Sequence, residues 1–160
     1  MERKDKTNYY LDIADTVSRR STCIRRQYGA IIVRNDEIIS TGYNGAPRGR
    51  KNCLDLAFCE RERQNIPSGQ RYELCRSVHA EANAIISAAR RDILGSTLYL
   101  VGRQYGTGAL LSDTTSCAMC KKLIINAGIV KMIARTGEET YTVTEIRDWV
   151  FDDDSLGGWM

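Results

Sequence analysis

His79-Ala80-Glu81-Ala82-Asn83-Ala84-Ile85-Ile86-Ser87-Ala88-Ala89-Arg90-Arg91, then Ser96-Thr97-Leu98-Tyr99-Leu100-Val101, sets a helix directly before a strand. The Ala-rich first half, with Ile85 and Ile86, predicts one helix from His79 to Arg91, ended by Gly95. The same pair recurs downstream. Cys117 to Ala127 carries Met119, Cys120, Leu123 and Ile124 on one side and is followed by Gly128, a C-cap residue, and then a strand over Ile129–Ala134. Strands that are each fed by a helix become parallel neighbours if their crossovers are right-handed.

Upstream, Tyr10, Leu11, Ile13, Ala14 and Val17 are spaced as on a helix over about 7–20. Tyr28-Gly29-Ala30-Ile31-Ile32-Val33 is an apolar, β-branched run, Asn35-Asp36 a turn, and Ile38 to Tyr43 a returning strand, so a hairpin is expected. From Asn44 to Arg76 periodicity is lost; both prolines and three cysteines fall in this stretch, which reads as a long loop or insertion. The tail over 141–150 predicts a short strand and a helical turn. The expected fold is α/β: a three-layer α/β/α sandwich with a mixed central sheet, in one domain over 1–160 with a Cys-containing insertion at about 44–76.

The chain has 160 residues, 42% of them apolar, enough for a packed core. Twenty-three basic residues against twenty acidic ones leave a net charge of +3, too mild to argue for nucleic-acid binding, though suited to a small anionic ligand held by local arginines. No apolar run is long enough for a membrane span, and the charged start Met1-Glu2-Arg3-Lys4-Asp5-Lys6 has no apolar segment behind it, so the expected location is cytoplasmic. In that setting six cysteines point to metal or catalysis, with disulfides left as the alternative.

His79, the only histidine, opens one helix and Cys117-Ala118-Met119-Cys120 opens another. Zinc takes imidazole and thiolate ligands tetrahedrally, and a catalytic site keeps three protein ligands with water in the fourth position. Helix-end N–H groups favour the thiolate form. Glu81, two residues past the histidine, is placed to take a proton from an acidified water and return it to a leaving group. Taken singly, the CxxC also reads as a redox pair or half of a structural zinc site, and His79 as a hydrogen-bonding helix residue. The combination is more specific than any part.

Those residues resemble the cytidine deaminase superfamily and, within it, the dCMP deaminase group, in which His-x-Glu precedes Cys-x-x-Cys and the glutamate is acid/base rather than ligand. The resemblance runs over about 7–135 and is carried by Arg20-Ser21-Thr22-Cys23, Tyr28-Gly29-Ala30, Gly42-Tyr43-Asn44-Gly45-Ala46-Pro47, Val78 to Ala84, and Ser116-Cys117-Ala118-Met119-Cys120 through Gly128. It implies a catalytic zinc on His79, Cys117 and Cys120 and proton transfer by Glu81. Asn44 would meet the sugar and Ser21 and Arg25 the 5′-phosphate, an oxyanion that suits the arginine fork. The residue before the CxxC is usually proline and here is Ser116; its backbone carbonyl would still meet the substrate amino group, with less rigidity around it.

Cys23, Cys53, Cys59 and Cys75 make the ligand count of a closed zinc site, three of them inside the irregular segment, and some phage enzymes of the family hold a second zinc there. Buried reduced thiols or disulfides are the other readings. The resemblance also implies a homo-oligomer, a hexamer, with dCTP and dTTP as effectors. Trp149, Phe151 and Trp159 read as packing or a subunit contact, and Asp152-Asp153-Asp154 as a solvated acidic tail. Gly42 to Gly49 is no phosphate loop, since no Gly-Lys-Ser/Thr follows.

The expected reaction is dCMP plus water giving dUMP plus ammonia. A zinc deaminase acting on another cytosine nucleotide, or on a base within RNA or single-stranded DNA, is the second reading; the latter would need a basic, aromatic-rich surface that the sequence lacks. A non-catalytic zinc accessory protein is the third, and it would have no use for Glu81.

Overall fold

The computed structural model of the chain describes residues 1–151; Trp159 and Asp152-Asp153-Asp154 lie outside them. Helix α1 (Lys6–Ser18) leads into strands β1 (Arg26–Arg34) and β2 (Glu37–Tyr43). Asn35 and Asp36 both take positive φ, 52° and 63°, the turn that matches the twist of a two-residue hairpin. The insertion carries only short turns of helix: α2 (Cys53–Leu56), α3 (Glu60–Arg63) and a 3₁₀ turn at Tyr72–Leu74. Then follow α4 (Ala80–Ile86), α5 (Arg90–Ile93), β3 (Thr97–Gln104), α6 (Ala118–Ala127), β4 (Lys131–Arg135), β5 (Tyr141–Glu145) and α7 (Ile146–Phe151).

The sheet order is β2-β1-β3-β4-β5, with β3 and β4 parallel and the other pairs antiparallel. Alternation along the strands sends successive side chains to opposite faces, so an unbroken apolar run is buried on both. Ala30, Ile32, Leu98, Leu100, Met132 and Ala134 face one core. Ile31, Val33, Tyr99, Val101 and Ile133 face the other, against Tyr10, Leu11 and Ala14 of α1. The first core is closed by residues of α4, α5, α6 and α7, Trp149 among them, while Phe151 is exposed. Helices on both faces of a mixed sheet make the three-layer α/β sandwich.

Two expected elements differ. The helix over His79–Arg91 is two helices, broken at Ser87–Ala89: Ser87 turns its hydroxyl onto the Asn83 carbonyl at 2.8 Å, and Arg90 Nε anchors α5 to the Asn126 carbonyl at 2.8 Å. The third strand continues past Val101 to Gln104, because Gly102 leaves room for Tyr28, whose ring would lie 2.6 Å from a Cβ there.

Arg135 is 2% exposed, and its Nη2 lies 2.8 Å from Asp12 Oδ1, with Nε unpartnered. Burial works to raise the Asp12 pKa, but bonds from Lys4 and Arg135 outweigh it and hold the carboxyl below its ordinary value. A lowered carboxylate pKa contributes stability at neutral pH that is lost as pH falls through the folded value, below about 4. Asp12→Asn strands a buried guanidinium and should cost about 1–3 kcal/mol at pH 7, less than a fully buried pair because Asp12 is half in water. Urea unfolding at pH 7 and pH 3 checks this, the difference between variant and parent shrinking at the lower pH.

Candidate metal centre and its pocket

β2 and β3 both run antiparallel to β1, so they end at the same edge of the sheet. The chain leaves each of those ends through a connection and enters a helix, and α4 and α6 therefore start side by side. His79 is the N-cap residue of α4 and Cys117 that of α6. Val78, just before the histidine, exchanges two backbone bonds with Gly45 (3.1 and 2.7 Å), and Asn83 Nδ2 donates to the Tyr43 carbonyl at 2.8 Å. The Gly42–Pro47 segment thus braces the start of α4.

His79 Nδ1 lies 3.5 Å from Cys117 Sγ and 3.4 Å from Cys120 Sγ. A tetrahedral ion with Zn–S near 2.3 Å and Zn–N near 2.05 Å would hold S and N about 3.6 Å apart. These residues fit zinc. Among the described residues, theirs is the one group of three or more metal-ligating side chains whose donor atoms all lie within 4.8 Å of one another. Cys117 also accepts the Cys120 backbone N–H at 3.4 Å in the first turn of α6.

Electrostatics agree. The Cys117 thiol is pushed down to about 4, chiefly because Cys120 donates to it; burial opposes this and His79 reinforces it. The Cys120 thiol is pushed up, since its own S–H donates to the Cys117 sulfur and it is buried. Burial works to lower His79, but bonds to Cys117 and Cys75 raise it to about 10. Two thiols and an imidazole sharing protons at this spacing suit a divalent cation, which replaces those protons.

Glu81, in the first turn of α4, is 5% exposed. Burial pushes its carboxyl up, against its own backbone N–H, the His79 charge and the Ser116 hydroxyl. Ser116 is buried, and its hydroxyl also donates to Met132 Sδ at 3.4 Å.

A pocket opens over this group, lined by His79, Glu81 and Cys117 from the helix starts and by Asn44, Arg25 and Tyr28 from the first hairpin and its approach. Asn44 is buried, with its side-chain oxygen accepting from the Tyr28 N–H at 2.8 Å and its Nδ2 donating to the Arg26 carbonyl at 2.9 Å. Arg25 pairs through Nε with Glu62 of α3 at 2.8 Å. Ser21 does not line the pocket; it is buried and accepts the Cys23 N–H at 3.2 Å.

All six cysteines are free thiols. Cys23, Cys59 and Cys75 line this same pocket, and Cys53 is buried at the start of α2. Burial and the other three thiols push Cys53 up to about 11. The four sulfurs lie close enough to influence one another without reaching the mutual spacing of His79, Cys117 and Cys120.

Sequence reasoning assigned no role to Arg26, Tyr28, Arg61 or Tyr72, all of which line the pocket. For Tyr72 a signal existed: it is the only aromatic residue between Phe58 and Tyr99.

The profile of the cytidine and deoxycytidylate deaminase zinc-binding region matches residues 4–136. The chain is 34% identical over 138 residues to the deoxycytidylate deaminase of Mycobacterium phage D29, covering 83% of this chain and 96% of that one. It is 32% identical over 130 residues to the deoxycytidylate deaminase of Schizosaccharomyces pombe, covering 81% of this chain and 36% of the yeast protein. The chain therefore spans about a third of the yeast relative and nearly all of the phage one. Among solved structures, the dCMP deaminase of cyanophage S-TIM5 in complex with dCMP and dUMP superimposes with a TM-score of 0.60 at 26% identity, covering 98% of this chain and 93% of that one.

Proposed function

The chain belongs to the cytidine and deoxycytidylate deaminase family, and from that premise we propose that it hydrolyses dCMP to dUMP and ammonia with a zinc ion on His79, Cys117 and Cys120. The observation that carries the reading is the tetrahedral spacing of those three donors beside a buried glutamate. Zinc supplies, when bound, the Lewis acidity that brings the pKa of a water at the open position to about 7. Glu81 takes the proton of that water on its carboxylate and passes it toward the departing amine, while the water oxygen bonds to C4 of the pyrimidine. The Ser116 carbonyl receives the substrate amino group. Asn44 spends its oxygen and one N–H on β1, which leaves its second Nδ2–H for the sugar. Arg25 offers its fork to the 5′-phosphate, in exchange for or alongside Glu62. Ser21, away from the pocket lining, would act on the phosphate through the Cys23 segment it holds.

A second zinc on Cys23, Cys53, Cys59 and Cys75 belongs to the same proposal, supported by four free thiols gathered within electrostatic reach of one another. Homo-oligomerisation as a hexamer is supported by exposed Ile86, Met119 and Leu123, and dCTP and dTTP are carried as its effectors. No helix among the described residues is long and apolar enough to cross a membrane.

Loss of cytosine absorbance with dCMP, CMP, deoxycytidine and dCTP, together with zinc counted per chain, tests this. Turnover of dCMP first among the four, and two zinc ions falling to one in Cys53→Ser, are expected. No turnover on any, with or without dCTP as activator, would send the search to bases in single-stranded nucleic acid or to a non-catalytic role. One zinc per parent chain would remove the second site.

A further inference from the structure

Two rings and a guanidinium meet where the insertion touches the metal centre. Tyr72 stands edge-on to His79, ring centroids 5.0 Å apart and planes at 82°. The Arg61 guanidinium lies over the Tyr72 ring, 4.4 Å from its centroid. Arg61 is 5% exposed, and its fork is committed to the backbone: Nε and Nη2 donate to the Gln70 carbonyl at 3.2 and 2.8 Å, and Nη2 to the Pro67 carbonyl at 2.7 Å. The far end of the tyrosine is fixed too, since its phenolic oxygen accepts the Gly69 N–H at 3.2 Å. Residues 67–70 are thereby held between Arg61 and Tyr72, and the one ring they immobilise abuts the imidazole.

We propose that Arg61 and Tyr72 form a brace that sets the plane of the His79 imidazole, making Tyr72 a positioning residue of the metal centre and the insertion part of the active site rather than an appendage. This brace rests on the proposed role of His79 as a metal ligand. An imidazole ligand can rotate about its Cα–Cβ and Cβ–Cγ bonds, and what packs against the ring decides which rotation persists. Here the Nδ1 face is turned to Cys117 and Cys120, and the Tyr72 ring is one of the groups packed against it. Cation–π contact fixes the tyrosine in turn, and a buried arginine whose Nε and Nη2 are aimed at carbonyls of one loop has little freedom to move.

Tyr72→Leu removes the edge contact but keeps apolar bulk. It should lower kcat for dCMP about 10–100-fold, as removing partners of metal ligands typically does. KM should stay within about threefold, because the loss falls on the chemical step. Independently of turnover, zinc should be lost about tenfold more easily in competition with a chelator, and the visible bands of the Co²⁺-substituted protein should shift. Tyr72→Phe keeps the ring and should restore the parent's spectrum and most of its kcat. Arg61→Lys, without a fork for two carbonyls, should fall with the leucine variant. Thermal melts accompany each variant, and if the leucine variant does not fold, the phenylalanine and lysine variants carry the comparison. A leucine variant with the parent's kcat, chelator resistance and Co²⁺ bands overturns the brace. So does a rise in KM alone, which would make Tyr72 a substrate contact. If the parent protein turns over no dCMP, the proposed reaction fails, yet the chelator and Co²⁺ readouts still decide the brace.

Discussion

Glu81→Gln should lower kcat for dCMP by about a thousandfold or more while leaving zinc bound and the fold intact. The size follows from the proposed role: a positioned acid/base contributes about 10²–10⁴-fold, and in the proposed reaction one carboxylate serves both the attacking water and the leaving amine. Glutamine keeps the shape and the hydrogen-bonding oxygen but can neither take nor return a proton. Stability should not fall, because burial, reinforced by the Cys117 charge, pushes this carboxyl up, and a neutral amide at a site only 5% exposed has no charge to desolvate. The combination is diagnostic. A variant that binds zinc, melts no lower than the parent and hardly turns over would place the loss in proton transfer. Activity within tenfold of the parent, measured by single turnover with metal content matched, would remove Glu81 from the mechanism and leave the buried carboxyl unexplained.

How far the chain could be read before its structure depended on the range of each interaction. His79, Glu81, Cys117 and Cys120 were legible because helix starts and short spacings are local, and a strand–helix–strand crossover leaves little choice about which edge the helices begin from. The hairpin was legible for the same reason: Asn35-Asp36 sits between two apolar runs, and its positive φ angles are what that turn requires. What escaped was set by partners distant in sequence. Ser87–Ala89 carries no strong helix breaker, and the break there comes with a bond from Arg90 to Asn126 across the helix layer. The apolar run stops at Val101, although the missing side chain of Gly102 is what admits Tyr28 and lets the strand continue. Nothing in the run Glu60-Arg61-Glu62-Arg63 sets Arg61 apart, and only the fold of residues 67–70 buries it. The resemblance gives Arg25 to the 5′-phosphate, and the insertion supplies Glu62 as its partner. Nor does spacing alone say whether four scattered thiols converge. The structure draws them toward one pocket and leaves them further apart than the three donors beside them.

Gly42→Ala should damage both stability and catalysis, and its comparison with Gly29→Ala separates the two effects. A Cβ on Gly42 would lie 2.3 Å from the Ala80 carbonyl oxygen and 2.4 Å from the Ala84 nitrogen, all backbone of α4, which cannot rotate away as a side chain can. The helix is also pinned there by Ser40, whose hydroxyl donates to the Ala84 carbonyl at 2.6 Å. Restoring ordinary contact requires α4 to lift from β2 by about 1 Å, an overpacking that costs about 1–3 kcal/mol or more. The same helix carries Glu81 in its first turn and begins at His79, so the shift moves the proposed acid/base and the proposed ligand relative to Cys117 and Cys120 on α6. A misplacement of about 1 Å at reacting groups costs on the order of a hundredfold in rate. Gly29 makes the equivalent close approach on the opposite face: its Cβ would lie 2.1 Å from the Ala14 carbonyl oxygen and 2.4 Å from the Ser18 nitrogen, both in α1. Neither glycine has a positive φ, so the clash alone acts in both variants. Gly29→Ala should therefore lose comparable stability while keeping kcat near the parent value when assayed well below its melting temperature, because α1 contributes nothing to the pocket. Equal loss of kcat in the two variants at matched fraction folded would show that catalysis follows global stability, and would separate the packing of α4 on β2 from the geometry of the metal centre.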